Sequence, residues 1–328
     1  MKTIFIGIDV SKEWLDAAIC KDLNQKEMEV FRVENSLNGI EKMIRKCKKA
    51  GQDLWFCFEH TGNYGLLLAS QLQAAGLVYS VVPALEIIRS QGLVRGKTDK
   101  IDAERIAKYA ATQSHKLKPF QLPGQELLKL KSLLTYRSQL VSMSVQFQNS
   151  RKSFLEQKKS IDVSLILANI EQNLEQIKTN IDQVEKEIQL IIQADDQMST
   201  NYKKTTSVKG VGPIIAAYML VFTSNFTSFD NPRKFNCYAG LAPFEYSSGS
   251  SIRGKTRTSR LRNKTMKTLL FSGANVAACF DKELKKYYNR KKQEGKPHHL
   301  IINNIACKLV YRIFAVVKRD EPYVVLSH

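Results

Sequence analysis

Residues 125–195 contain no proline, and Gly124 lies just before them. Within that stretch Leu165, Ile166, Ile170, Leu174, Ile177, Ile181, Val184, Ile188 and Ile191 recur at three- and four-residue steps. That spacing predicts a long helical hairpin or coiled coil. Such an arm cannot bury its apolar stripe alone, so it is expected to pair with itself or with another subunit. The flanking segments must then supply their own cores, and 328 residues are enough for them to do so. The expected division is a domain over 1–120, an arm over 121–200 and a third zone over 201–328.

The first zone alternates strand and helix patterns. Strands are predicted at Thr3–Ile8, Leu15–Cys20, Met28–Val33, Leu54–Phe58 and Val78–Val82, the last stopped by Pro83. Helices are predicted at Leu37–Lys49, Tyr64–Ala75 and Asp99–Thr112. A hairpin start followed by strand–helix alternation implies a mixed sheet with helices on its faces. The third zone reads as mainly helical. A tight Gly turn in "SVKGVGPIIAAYMLV" feeds one helix, and further helices are expected at Thr265–Cys279 and Leu300–Lys318. Between them "EYSSGSSIRGKTRTSR" (Glu245–Arg260) reads as a polar loop.

Charge narrows the partner. The formal net charge is +19, and between Ser251 and Arg319 there are 18 Lys and Arg against 3 Asp and Glu. A polyanion fits this balance, nucleic acid first and an anionic membrane surface second. No apolar run approaching the about 20 residues that span a bilayer is evident, and no signal peptide opens the chain, so a cytoplasmic location is expected. The six cysteines are scattered with no CxxC pair, which argues against a zinc site or disulfide framework.

Four carboxylates could carry chemistry. Asp9 ends the first apolar strand and Glu59 ends "LWFCFE". Asp99 and Asp102 stand three apart at a helix start, where both would project on one face and Asp99 could cap the helix. Each has an ordinary alternative, as a turn residue, a cap or a solvated charge. Together, delivered by three segments to the carboxyl-end side of a sheet, they could hold two Mg²⁺ ions suited to phosphodiester chemistry. In the polar loop Ser247, Ser248, Ser250 and Ser251 flank Gly249, with Arg253, Lys255, Arg257 and Arg260 downstream. A serine there could attack a phosphodiester held by the cations; composition alone favours a solvated loop. His60 could orient Glu59, and His298 and His299 could cap a helix or touch a phosphate.

"GIDVSKEWLDAAI", "FEHTGNYG", "VVPALEIIRSQGLVRGKTDKIDAERIAKYA" and "VKGVGPIIAAYMLVF…FDNPRKFNCYAGLAPFEYSSGSSIRGK" resemble IS110-family transposases over almost the whole chain. The resemblance implies an α/β RNase H-like (RuvC-like) N-terminal domain, a long helical coiled-coil arm and a mainly α C-terminal domain. It implies a DEDD metal set, by position Asp9, Glu59, Asp99 and Asp102, with Mg²⁺ as cofactor. It also implies a nucleophilic serine before a glycine, matching Ser248, with Ser247 as a rival. That serine would join covalently to a DNA 5′ phosphate and release a 3′ hydroxyl. Double-stranded donor and target DNA, a noncoding guide RNA and a homodimer or tetramer are the implied partners. Arg253, Lys255, Arg257, Arg260, Arg262, Lys264, Lys267 and Lys209 are the expected nucleic-acid contacts. The chain departs from the family pattern at "SRLRN", where Arg262 replaces a glycine before Asn263. The separation of Asp9 and Ser248 along the chain raises the expectation that one subunit's serine completes another's metal site. The rival readings are a RuvC-like nuclease that hydrolyses DNA with water, and a noncatalytic nucleic-acid scaffold.

Overall fold

The computed structural model describes residues 3–25, 27–60, 62–90, 98–248, 252–258 and 262–324, with the backbone alone at 244–248 and 252–257. It forms two compact units, Met1–Leu122 and Pro123–His328.

The first unit runs β1 (Ile4–Val10), β2 (Trp14–Cys20), β3 (Glu29–Glu34), α1 (Leu37–Ala50), β4 (Leu54–Glu59), α2 (Leu66–Ala74), β5 (Val78–Val82), α3 (Ala84–Ser90) and α4 (Asp99–Thr112). The sheet order is β3-β2-β1-β4-β5. β1, β2 and β3 pair antiparallel, whereas β4 lies parallel to both β1 and β5. That order and those directions are the RNase H-like arrangement. The short helix α3, just after Pro83, carries too few residues for its periodicity to stand out in the sequence.

Strand alternation sends two different residue sets to the two faces. On one, Ile4, Ile6, Ile8, Leu15, Ala17, Ile19, Phe56 and Phe58 pack against Ile40, Met43 and Cys47 of α1 and Leu68 and Leu72 of α2. Ser36 caps α1 by accepting from Gly39 N–H. On the other face the strands present small residues. Ala18 and Cys20 meet Ala103 and Ala107 of α4, and Cys57 meets Ile106 and Ala110. At Gly7 a Cβ would run into the α4 backbone at Ala103 and Ala107. Small side chains therefore let α4 lie directly on β1.

The second unit runs α5 (Gln125–Gln157), α6 (Ser164–Ala194), α7 (Asp196–Ser207), α8 (Pro213–Phe222), α9 (Pro232–Tyr238), β6 (Pro243–Ser248), β7 (Ile252–Thr258), α10 (Lys264–Phe280), α11 (Lys282–Gln293) and α12 (His298–Arg319). Helices α5 and α6 form the expected hairpin, bridged by Arg137–Glu185 at 2.6 Å and Lys129–Glu187 at 3.0 Å. Much of its stripe is covered from within the unit: Leu130, Leu134, Ile177, Val184, Ile188 and Ile191 share one core with α8, α10 and α12. The Tyr218 hydroxyl donates to the Leu134 carbonyl at 3.0 Å and ties α8 to α5. Leu165 near the hairpin tip stays 74% exposed.

Two expectations are corrected. The stretch read as a polar loop is a two-stranded antiparallel hairpin, β6–β7, with an irregular register between Phe244 and Tyr246. Phe244, Tyr246, Ile252, Thr256 and Thr258 favour strands, but the Ser and Gly between them masked the alternation. Among the described helices α12 is long and apolar enough to cross a bilayer, where no such run was expected. Lys308 and Arg312 interrupt its apolar residues in the sequence. Half of its most apolar window is buried within the unit, where Ile301, Ile305, Leu309 and Ile313 belong to the core. That burial is the behaviour of a core helix.

Candidate active site

Alternation places Asp9, Asp16 and Glu59 on the sheet face that α4 covers, in phase with Gly7, Ala18 and Cys57. Asp9 pairs with Asp16 across the β1–β2 ladder. Ile8 pairs with Phe58 in the parallel ladder, so Asp9 and Glu59 leave adjacent strand ends together. Helix α4 begins over this corner. Thr98, not Asp99, is its cap: the Thr98 hydroxyl accepts from Ile101 N–H. Asp99 instead opens the first turn, one turn before Asp102, where the helix dipole favours negative charge.

The result is a concentration of like charge. Burial, then Asp102, Asp99, Glu59 and Asp16 in decreasing order, push the Asp9 carboxyl up to about 6. No hydrogen-bond donor among the described residues reaches the Asp9 side chain. Two arginines offset part of the charge. Arg32 on β3 grips the buried Asp16 through Nε at 3.1 Å and Nη2 at 2.8 Å, and the same Nη2 donates to Asp99 at 2.8 Å. Arg105 donates to Asp102 at 2.8 Å. Among the described residues no three His, Cys, Asp or Glu side chains stand in metal-ligating geometry. Asp99 and Asp102 are each paired with a guanidinium. His60, expected to orient Glu59, is exposed.

In the second unit Ser248 ends β6, its backbone paired with Ile252. The side chains of Ser247, Ser248, Arg253, Lys255 and Arg257, and all of Ser250, Ser251 and Arg260, lie outside the described residues. At the base of the hairpin Asn263 is held at three points. Its N–H donates to the Tyr238 carbonyl at 2.8 Å, its Nδ2 to the Tyr238 hydroxyl at 2.8 Å, and its Oδ1 accepts from Met266 N–H at 2.9 Å, capping α10. Arg262, in the place of the family glycine, lays its side chain where a Cβ on Gly240 would stand. Gly240 has φ +68°, a left-handed turn that glycine adopts freely. Lys267 donates to the Gly240 carbonyl at 3.0 Å. Burial, then the charge of Arg262, lowers its pKa. Lys209 and Lys264 are exposed. His298 lies inside the first turn of α12, its Nδ1 2.8 Å from the Tyr288 hydroxyl.

Residues 6–159 match the sequence profile of the DEDD transposase of IS110, described as a transposase. Residues 202–289 match a second profile, the transposase IS116/IS110/IS902 family. The chain belongs to the IS110 family of transposases. Pilin gene-inverting proteins of Moraxella bovis and Moraxella lacunata are each 25% identical over 98% of this transposase and 98% of their own length. An insertion element IS110 protein of Streptomyces coelicolor is 34% identical over 36% of this chain and 29% of its own. Among solved structures, RuvC of Thermus thermophilus with a Holliday junction substrate aligns over 36% of this chain and 99% of its own, at 11% identity and a TM-score of 0.28.

Does the corner suit a divalent cation? The donors are all carboxylate oxygens, the chemistry of a hard ion. The Asp9 carboxylate, half-buried without a donor among like charges, is a place where a cation is favoured. The residues fit. Sequence reasoning missed Asp16, Arg32 and Arg105 as parts of this electrostatic unit. The β1–β2 register, which sets Asp16 opposite Asp9, was the available signal for Asp16.

Proposed function

We propose that this transposase cuts and rejoins DNA through a covalent 5′-phosphoserine intermediate on Ser248, assisted by the carboxylates of the first unit. The observation that carries the metal-assisted part of the reading is the crowding of Asp102, Asp99, Glu59 and Asp16 around Asp9; the serine rests on the family resemblance. Asp9, Glu59, Asp99 and Asp102 would hold Mg²⁺. The bound cation would polarise a phosphodiester or the attacking hydroxyl. Arg32 and Arg105 pair with Asp99 and Asp102 and offset part of the repulsion among the acids.

Ser248 gives its hydroxyl proton to a base or to solvent and attacks the phosphorus. The Ser–O–P bond forms as the P–O3′ bond breaks, and the leaving 3′ oxygen takes up a proton to become a free hydroxyl. Reversal by a new 3′ hydroxyl rejoins the strand and frees the serine. Arg253, Lys255, Arg257, Arg260, Arg262, Lys264, Lys267 and Lys209 would neutralise phosphates near the hairpin. Rejoining is preferred to hydrolysis because relatives aligned end to end are named for gene inversion, which reseals what is cut. The family resemblance adds a noncoding guide RNA, donor and target DNA, and a homodimer or tetramer.

Two measurements test the reading. Ser248→Ala and Asp9→Ala should each abolish strand cleavage on donor DNA, and RNA co-purified with the protein should be one defined noncoding species. Cleavage by Ser248→Ala at the wild-type rate would leave a water-using nuclease in its place.

A further inference from the structure

Helix α11, "KELKKYYNRKKQ", places its charges in an ordered way. At 100° per residue Lys282, Lys285, Lys286 and Lys292 fall on one face, with Asn289 and Gln293 between them. All six are exposed. The opposite side faces the unit: Leu284 is buried, and Tyr287 and Tyr288 are half-buried against the core.

The acids of this segment are already engaged by other cations. Glu283 takes Arg312 at 2.5 Å, and Glu294 takes Lys291 at 2.6 Å. Arg312 also grips the buried Asp281, which caps α11 by accepting from Leu284 N–H. Among the described residues none of the four lysines forms an ion pair. The helix thus holds a row of uncompensated cations at i, i+3 and i+4 spacings, where like charges repel. Lys282 also opposes the positive N-terminal end of the dipole. For the folded chain alone this arrangement is unfavourable. A polyanion lying along it reverses the sign.

We propose that this face of α11 is a sequence-independent track for the phosphate backbone of duplex DNA. It is separate from the β6–β7 hairpin and rests on the reading of the chain as an enzyme that acts on DNA. The side chains favour the backbone as the target. Lysine is a flexible point charge without arginine's planar fork, and so suits a phosphate more than a fixed bidentate contact. The geometry also matches: 12 residues extend about 18 Å, long enough to lie beside several phosphates, whose charges recur about every 3.4 Å of duplex axis on each strand. Four lysines can therefore engage nearby phosphates and hold the duplex against the unit while other residues do the chemistry.

The test uses the full-length chain and a random-sequence 30-base-pair duplex, with affinity measured by fluorescence anisotropy across a sodium chloride series. Replacing Lys282, Lys285, Lys286 and Lys292 together by Gln should reduce the slope of log K against log salt by about 3–4. Lys285→Gln alone should reduce it by about 1, and the fourfold Lys→Arg variant should keep the wild-type slope. Circular dichroism melting should show the Gln variant as stable as wild type or more so. A full wild-type slope in the folded Gln variant overturns the track and leaves the transposase reading standing. A loss confined to single-stranded RNA overturns it as well, in favour of an RNA-binding face. Failure of the wild-type protein to bind the random duplex overturns the track, whereas the transposase reading stands or falls on Ser248→Ala cleavage of donor DNA.

Discussion

Asp9→Asn should stabilise the protein in chelator while destroying its cation response. Burial and neighbouring carboxylates lift Asp9 from 3.8 to about 6. At 1.36 kcal/mol per pKa unit, that corresponds to about 3 kcal/mol of disfavoured ionisation. The group is only about half buried, so solvent screening reduces the figure to about 1–2 kcal/mol. The sign follows from linkage. A carboxyl whose folded pKa is raised gives a stability contribution fully present below the unfolded value. That contribution is lost as pH rises toward the folded value and stays lost above it. Metal-free wild type should therefore trail Asp9→Asn by about 1–2 kcal/mol at pH 7.5, which is about 3–8 °C in Tm for a unit of this size. The gap should close as pH falls from 6 toward 4. Differential scanning calorimetry in EDTA reads it directly. Added Mg²⁺ should then raise the wild-type Tm and leave Asp9→Asn unmoved. Equal stability of the two proteins at pH 7.5, or a less stable Asn variant, would refute the crowded-carboxylate account.

Gly7→Ala should cost at least about 2–3 kcal/mol and lower Tm by several degrees in thermal melts, because its methyl meets the α4 backbone at Ala103 and Ala107. Arg32→Met should lower the urea midpoint, since it strips the partner from a carboxylate that is 3% exposed. Adding Asp16→Asn to that variant should recover much of the loss. Thr98→Ala removes the α4 cap and should cost about 1 kcal/mol, with weaker Mg²⁺ stabilisation because the first turn that carries Asp99 frays.

The alternation of the first zone made the sheet and α4 legible, since long apolar strands and a capped helix leave strong local patterns. Asp9 and Glu59 could be placed because both close apolar strands. Their consequence depended on two facts that local patterns do not carry. One is the register that sets Asp16 opposite Asp9. The other is the close approach of α4 that Gly7, Ala18 and Cys57 permit. Arg32 was invisible because its partners are 16 and 67 residues away in sequence. The helical arm was evident from its period. Its absorption into the core of the second unit was not, because periodicity shows a stripe and not what covers it. The β6–β7 hairpin was hidden by serines and glycines that usually mark loops.

In the proposed reaction a serine of that hairpin becomes joined to DNA. The decisive measurement is to denature the reaction on a nicked donor duplex, digest the protein and sequence the adduct by tandem mass spectrometry. A nucleotide 5′ phosphate on Ser248 is expected, absent from Ser248→Ala and from Asp9→Ala. Cleaved DNA with no protein attached at any serine would rule out the covalent intermediate.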